Sequence, residues 1–305
     1  RIWMLDQVEE VGKMINLDIL HEYGKELEHR MKLQTFPLAV KLLEKEGDIP
    51  EGTERPMRDL GYHVAACQGL SKSRREGTAV AMMKEDMWCP EGVVGYGLAE
   101  PPPYFFDGRQ RYPQSVESLE AGSIWAREFP RLEVGKYVGV MSAPLTTCNF
   151  SPDVMVLYCD SAQLGMLLLA VASKEGHELT CTVSAKGACI YSVVPPLQTG
   201  KYQVTVPCPG DRRFAGAQHD EMIFSFPAGK VEGLISSLRY LEGYGYRLPL
   251  RYVMKPEAEM PANYVTVGKM MGMDWMEGDE MAKYEAWKKR KKEGDGCTQR
   301  KEPVW

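Results

Sequence analysis

Two hydrophobic spacings alternate along this chain and set out its elements. Residues 4 to 32 place Leu5, Val8, Val11 and Ile15 near a 3.6-residue period among Glu and Lys, which predicts an N-terminal helix or helix pair. Phe36-Pro-Leu-Ala-Val-Lys-Leu-Leu then reads as a strand, closed by the turn-prone Glu46-Gly-Asp-Ile-Pro50. Arg58 to Arg74 predicts a helix, Thr78 to Met83 a strand, and Pro90 to Leu98 a short helix bounded by Pro101-Pro-Pro103. Ser115 to Phe129 is amphipathic, and Lys136-Tyr-Val-Gly-Val-Met predicts a buried strand.

A second series of the same kind follows. Asp153-Val-Met-Val-Leu-Tyr predicts a strand, and Asp160 or Ser161 can cap the free amides of a helix over Ala162 to Ser173. Glu178-Leu-Thr-Cys-Thr-Val, Tyr202 to Val206 and Glu221-Met-Ile-Phe-Ser-Phe predict further strands. Val231, Leu234, Ile235, Leu238 and Leu241 share one helix face. The irregular alternation predicts an α+β fold with two related sheet-and-helix halves, at 33–135 and 136–242, after a helical segment at 1–32. Beyond residue 243 the strand pattern stops. Met270-Met-Gly-Met-Asp-Trp-Met276 and a charged helix over Glu277 to Lys292 form an extension to residue 305, expected to pack on its own domain rather than on a partner subunit.

Composition narrows the function classes. With 305 residues, 44% hydrophobic and 26% charged, the chain can bury a sizeable core. A formal net charge of -5 argues against nucleic acid or an anionic membrane as the main partner, and the basic run Lys288 to Lys292 reads as a solvated helix face. Leu164 to Ala172, the most apolar run, is half the length that a membrane-spanning helix needs. The chain opens Arg1-Ile-Trp-Met and turns acidic at once, without a basic region and apolar core, although the missing initiator Met is compatible with trimming. Eight cysteines in this length are too sparse for a disulfide framework, so a reducing cytoplasm is expected.

The cysteines repeat. His63-Val-Ala-Ala-Cys67 precedes a strand and then Met87-Trp-Cys89-Pro90; Ala185-Lys-Gly-Ala-Cys189 precedes a strand and then Pro207-Cys208-Pro209. The copies lie about 120 residues apart, with internal spacings of 22 and 19 positions. Halves packed as a pseudo-dimer would bring Cys67, Cys89, Cys189 and Cys208 to one point. A Cys-Pro step sets the thiol where proline starts a helix, whose amides would favour a thiolate. Four thiolates without a close histidine suit a [4Fe-4S] cluster or structural zinc, and the absence of a CxxC pair counts against zinc. The alternative is that these thiols are small core hydrophobes. Cys159 and Cys181 lie in apolar strands and are expected in the core; Cys148 and Cys297 lie in polar loops without a mate.

Several of these stretches also carry a resemblance. Phe36-Pro-Leu-Ala-Val-Lys-Leu, Ile49-Pro-Glu-Gly with Arg55-Pro56, the Cys67 segment, Lys84-Glu-Asp with Cys89-Pro90, and Cys208-Pro-Gly-Asp-Arg-Arg-Phe-Ala-Gly216 resemble the prokaryotic family filed as domain of unknown function 169, over approximately residues 33–242. The resemblance implies that the four cysteines occupy the family's usual cysteine positions, and a bacterial or archaeal, often anaerobic, source. It implies no reaction.

Around the thiols, Arg212 and Arg213 offer planar forks for a carboxylate or phosphate, with Arg55 and Arg58 as a second basic contribution. The alternative is ion pairing with Asp211, Asp220 or Glu221. His63, four residues before Cys67, and His219 are candidates for moving protons near neutral pH, against a plain structural role. The function expected is a redox or lyase-type iron-sulfur enzyme on a small anionic substrate, with an electron-transfer partner and a homo-oligomeric state. The alternatives are a non-catalytic protein that handles haem or metal or senses redox state through the same cysteines, and a protein whose cysteines are only structural.

Overall fold

The structure is a computed structural model that describes residues 16–249 and 262–273. Residues 16–249 lie in the first of two compact units, divided at Pro249. Its chain runs α1 (Leu17–Met31), β1 (Leu38–Leu43), α2 (Ala66–Ser71), β2 (Val80–Met83), α3 (Pro90–Gly95), α4 (Pro103–Phe106), α5 (Leu119–Glu128) and β3 (Gly139–Pro144). It continues through β4 (Val154–Cys159), α6 (Ser161–Glu175), α7 (Ala188–Tyr191), α8 (Val194–Thr199), β5 (Gln203–Thr205), α9 (Pro209–Ala215), β6 (Met222–Pro227) and α10 (Val231–Gly243). The fold is α+β, as the irregular alternation predicts. In the second unit the described element is α11 (Ala262–Met270), on which Met270 and the adjoining Met271 are exposed. Leu5 to Ile15, Trp275, the Lys288 to Lys292 run and Cys297 lie outside the described residues.

The six strands form one antiparallel sheet in the order β2-β3-β1-β4-β6-β5. That order is unchanged when β1, β2 and β3 are exchanged with β4, β5 and β6. Alternate strand residues point to opposite faces, so two cores form. Ala39, Met141, Met155 and Phe224 join α1, α6 and α10 on one face. Val40, Val140, Val156 and Ile223 join the cysteine-bearing segments on the other. The first layer is built by ordinary amphipathic helices. Asp160 caps α6, accepting from Gln163 N at 2.8 Å while the Gln163 side chain accepts from Asp160 N at 2.7 Å, which satisfies two helix-start donors reciprocally.

Three local expectations are corrected. Arg58 to Arg74 is not one helix: a turn over Pro56–Leu60 ends at Gly61 with φ +74°, Val64 bridges Met87, and only Ala66–Ser71 is α-helical. Glu178 to Val183 forms no strand, because side chains replace the ladder. Gln203 Nε2 donates to the Thr182 carbonyl at 2.7 Å and Thr205 Oγ1 to that of Ser184 at 2.6 Å. Cys148 is not a polar-loop thiol but is 1% exposed in the first core, its Sγ facing the Leu145 carbonyl.

Candidate functional site

The second core layer is assembled from helices of four to seven residues together with the ten-residue α5, and each of the four repeated cysteines sits at the start of one of the shorter helices. Cys67 and Cys189 are the second residues of α2 and α7; Cys89 and Cys208 immediately precede Pro90 of α3 and Pro209 of α9. Proline is tolerated there because the first helical N–H has no intrahelical acceptor. The helices pack crosswise, α2 on α9 and α3 on α7. Small residues permit this approach. A Cβ on Gly92 would stand 3.0 Å from the Ala66 Cβ, and one on Gly95 would meet Ile190 at 2.7 Å.

Gly187 is the most constrained of these positions. Its φ is +54°, and a Cβ would lie 2.6 Å from Phe129 Cε2. Phe129 is 1% exposed and stacked on Trp125 with ring centres 5.2 Å apart, so it has little room to yield. Gly187→Ala is therefore expected to cost about 2 kcal/mol or more, from backbone strain plus overpacking. Urea unfolding of the two proteins measures it, and equal midpoints would refute the account.

Packing brings the thiols into mutual electrostatic range. Burial pushes the Cys189 thiol up, and the charges of Cys67, Asp211, Cys89 and Cys208 push it further. Cys67 is raised by burial and then by Asp211, Cys208 and Cys89. Burial and Glu91 push Cys89 up to about 12, against the N–H groups of Gly92 and Glu91, which favour the thiolate. Cys208 is raised by burial and Asp211, while the Ala188 and Asp211 N–H groups pull the other way. The expectation that helix-start amides leave Cys89 and Cys208 as thiolates is thus corrected. The amides are present, but desolvation and two carboxylates outweigh them.

Those carboxylates accept hydrogen bonds from the protonated thiols. Cys208 Sγ donates to Asp211 Oδ2 at 3.0 Å and Cys89 Sγ to Glu91 Oε2 at 3.4 Å. Asp211 is fully buried and also accepts from the Tyr158 hydroxyl at 3.3 Å. Tyr96, equally buried, donates to the Cys189 carbonyl at 3.0 Å. Arg74 lies over the Tyr158 ring, 3.8 Å from its centre, and forms a fork with Glu221 at 2.6 and 3.1 Å.

The other candidates lie apart from this cluster or are already engaged. Arg55 is 5% exposed and its three nitrogens hold Asp86 at 2.7 Å, Glu46 at 2.7 Å and Glu85 at 2.9 Å. It is an ion-paired structural residue, although its carboxylate partners are not the ones expected. Arg58 pairs with its neighbour Asp59. Arg212 donates to the Gln218 carbonyl, and Arg213 is exposed above the Phe214 ring. His63 and His219 are both exposed, and His63 lies outside α2. The pattern of residues overlooked Arg74, Asp211, Tyr158 and Glu91. Asp211, three residues after Cys208, and Glu91, two after Cys89, had that spacing as a signal; Arg74 and Tyr158 had none.

Two concavities in this unit, one at the ends of α1 and α10 and one beside Arg74 and Arg75, are not lined by the four cysteines. Among the described residues no three His, Cys, Asp or Glu side chains converge tightly enough to hold a single metal ion. Tetrahedral zinc at about 2.3 Å per bond would need sulfurs about 3.8 Å apart.

An α+β sheet covered on one face by four thiol-bearing short helices defines the class of this protein. The chain belongs to the DUF169 family, described as an uncharacterised ArCR family, whose model matches residues 26–237. It is similar to an uncharacterized protein of Methanocaldococcus jannaschii, 24% identical over 229 residues that cover 74% of this chain and 96% of the relative. No solved structure matches. Among the described residues, no helix is long and apolar enough to cross a membrane.

Proposed function

We propose that this chain is an iron-sulfur protein in which Cys67, Cys89, Cys189 and Cys208 ligate a [4Fe-4S] cluster used in redox chemistry on a small anionic substrate. The observation that carries the reading is the convergence of these four cysteines on one buried face, where Cys189 feels the charge of the other three. Such a cluster, when bound, supplies one-electron chemistry. With four thiols to ligate four irons no iron is left open, which favours electron transfer over a lyase-type Lewis acid. The protein's own part is to exclude water with Tyr96 and Tyr158, to donate the Asp211, Ala188 and Gly92 amides toward sulfur, and to orient the protonated Cys208 and Cys89 thiols by hydrogen bonds to Asp211 and Glu91 before loading. Structural zinc is less well served, because the four cysteines include no CxxC pair.

Anaerobic purification with metal and sulfide analysis tests this. The wild-type chain should be brown, with about four iron and about four acid-labile sulfide per chain. Cys208→Ala should keep its far-ultraviolet circular dichroism and lose most of the iron. A colourless, iron-free wild type purified without oxygen overturns the reading.

A further inference from the structure

A cavity of about 360 Å³ opens where α1 ends and β1 begins, against the turn that follows α2; Glu28, Gln34, Thr35, Phe36, Arg74 and Arg75 help to line it. Its volume lies within the range of about 300 to 1,000 Å³ usual for small-molecule sites. Two of its lining residues carry buried polar atoms without a hydrogen-bond partner, Arg74 Nε and Glu28 Oε1. Arg74 is 1% exposed. Native structures seldom leave such atoms unpaired, and each exception calls for an explanation. Two guanidiniums meet one close carboxylate here: Glu221 takes the Arg74 fork, and Arg75 stands 3.6 Å from the same residue while donating to the Gly216 carbonyl. Burial pushes the Glu28 carboxyl up, toward its neutral form. Any protonation of Glu28 tips the cavity wall toward positive charge.

We propose that this cavity binds a small hydroxycarboxylate monoanion, its carboxylate held by Arg74 and Arg75 and its hydroxyl by Glu28. The unpaired Arg74 Nε and the Arg75 guanidinium are donors suited to a carboxylate, and Glu28 supplies the polar group that separates a hydroxy acid from a plain acid. The cavity does not need the cluster in order to bind. As the substrate site it rests on the iron-sulfur reading, and a short chain of contacts then connects the two. Arg74 covers Tyr158, Tyr158 donates to Asp211, and Asp211 accepts from Cys208.

Calorimetric titration of the full chain with glycolate, and with acetate as the acid that lacks a hydroxyl, tests the site; iron and sulfide are assayed on the same samples. Wild type should bind glycolate at ~1 mM or tighter and prefer it to acetate. Arg75→Gln should weaken glycolate at least about tenfold. Glu28→Leu should remove the preference over acetate. Arg75 is chosen over Arg74 because it is partly exposed and its loss leaves the buried pair intact. Absence of binding to wild type, or glycolate affinity unchanged in Arg75→Gln, overturns the site. Iron-free protein that still binds glycolate through Arg75 supports the cavity while overturning the cluster, and iron-loaded protein that binds none does the reverse.

Discussion

Glu221→Ala should destabilise this fold by about 3 to 5 kcal/mol, the cost of leaving a buried charge without its partner. Arg74 is 1% exposed and its fork to Glu221 spans 147 positions of sequence, tying the turn after α2 to the start of β6. Removing the carboxylate strands the guanidinium under Tyr158 and also frees Gln218 N, which donates to Glu221 at 2.7 Å. The converse change should cost less. In Arg74→Leu with Glu221→Leu no charge remains to be desolvated, and apolar replacements of buried pairs are often nearly neutral. Urea unfolding of the single and double variants separates the two. A single variant within 1 kcal/mol of wild type, on the order of an ordinary surface change, would show that water reaches Arg74.

The sheet was largely legible in the sequence because it is built from short apolar runs between turn signals. Leu38–Leu43 and Val80–Met83 fall inside the strands expected from Phe36 and Thr78, and Val154–Cys159 and Met222–Pro227 run one residue past those expected from Asp153 and Glu221. Periodicity failed where one side chain replaces a backbone partner. Nothing in the pattern of Glu178 to Val183 shows that Gln203 will take the Thr182 carbonyl. It also failed over Arg58 to Arg74, where polar and apolar residues suit a helix but Gly61 and the bridge from Val64 to Met87 divide it.

The grouping of the four repeated cysteines was legible and their electrostatics were not. Spacing and the two Cys-Pro steps single out four cysteines that the fold draws together, and proline does start both α3 and α9. The ionisation state depends on how deeply the thiols are buried and on Glu91 and Asp211, which tertiary packing alone sets. Arginine candidates were the least legible. A guanidinium suits a substrate and a structural carboxylate equally well, and Arg55 is claimed by three of the latter. Arg74 lies 147 positions from its partner.

Those raised thiols predict how the metal-free protein takes up a cluster. Cys89 is pushed up to about 12, and Cys67, Cys189 and Cys208 are raised as well, so all four are protonated at neutral pH. A metal binds thiolate, so loading must expel one proton per thiol, about four in all. The sign follows: loading strengthens as pH rises and weakens as it falls, throughout the range below these values. Stability of the metal-free fold runs the opposite way. Its thiols hold their protons more tightly than the unfolded chain does, so folding stability is lost between about pH 8.5, where an unfolded thiol ionises, and about 12, where Cys89 follows. Anaerobic reconstitution in weak buffer near pH 7.5 measures the first effect directly. Relative to wild type, Cys89→Ala should release about one proton fewer per chain loaded. Equal release would mean either that Cys89 is already a thiolate before loading or that it never becomes a ligand, and the visible spectrum of the loaded variant distinguishes the two: unchanged if Cys89 lies outside the cluster, altered if it had been a ligand.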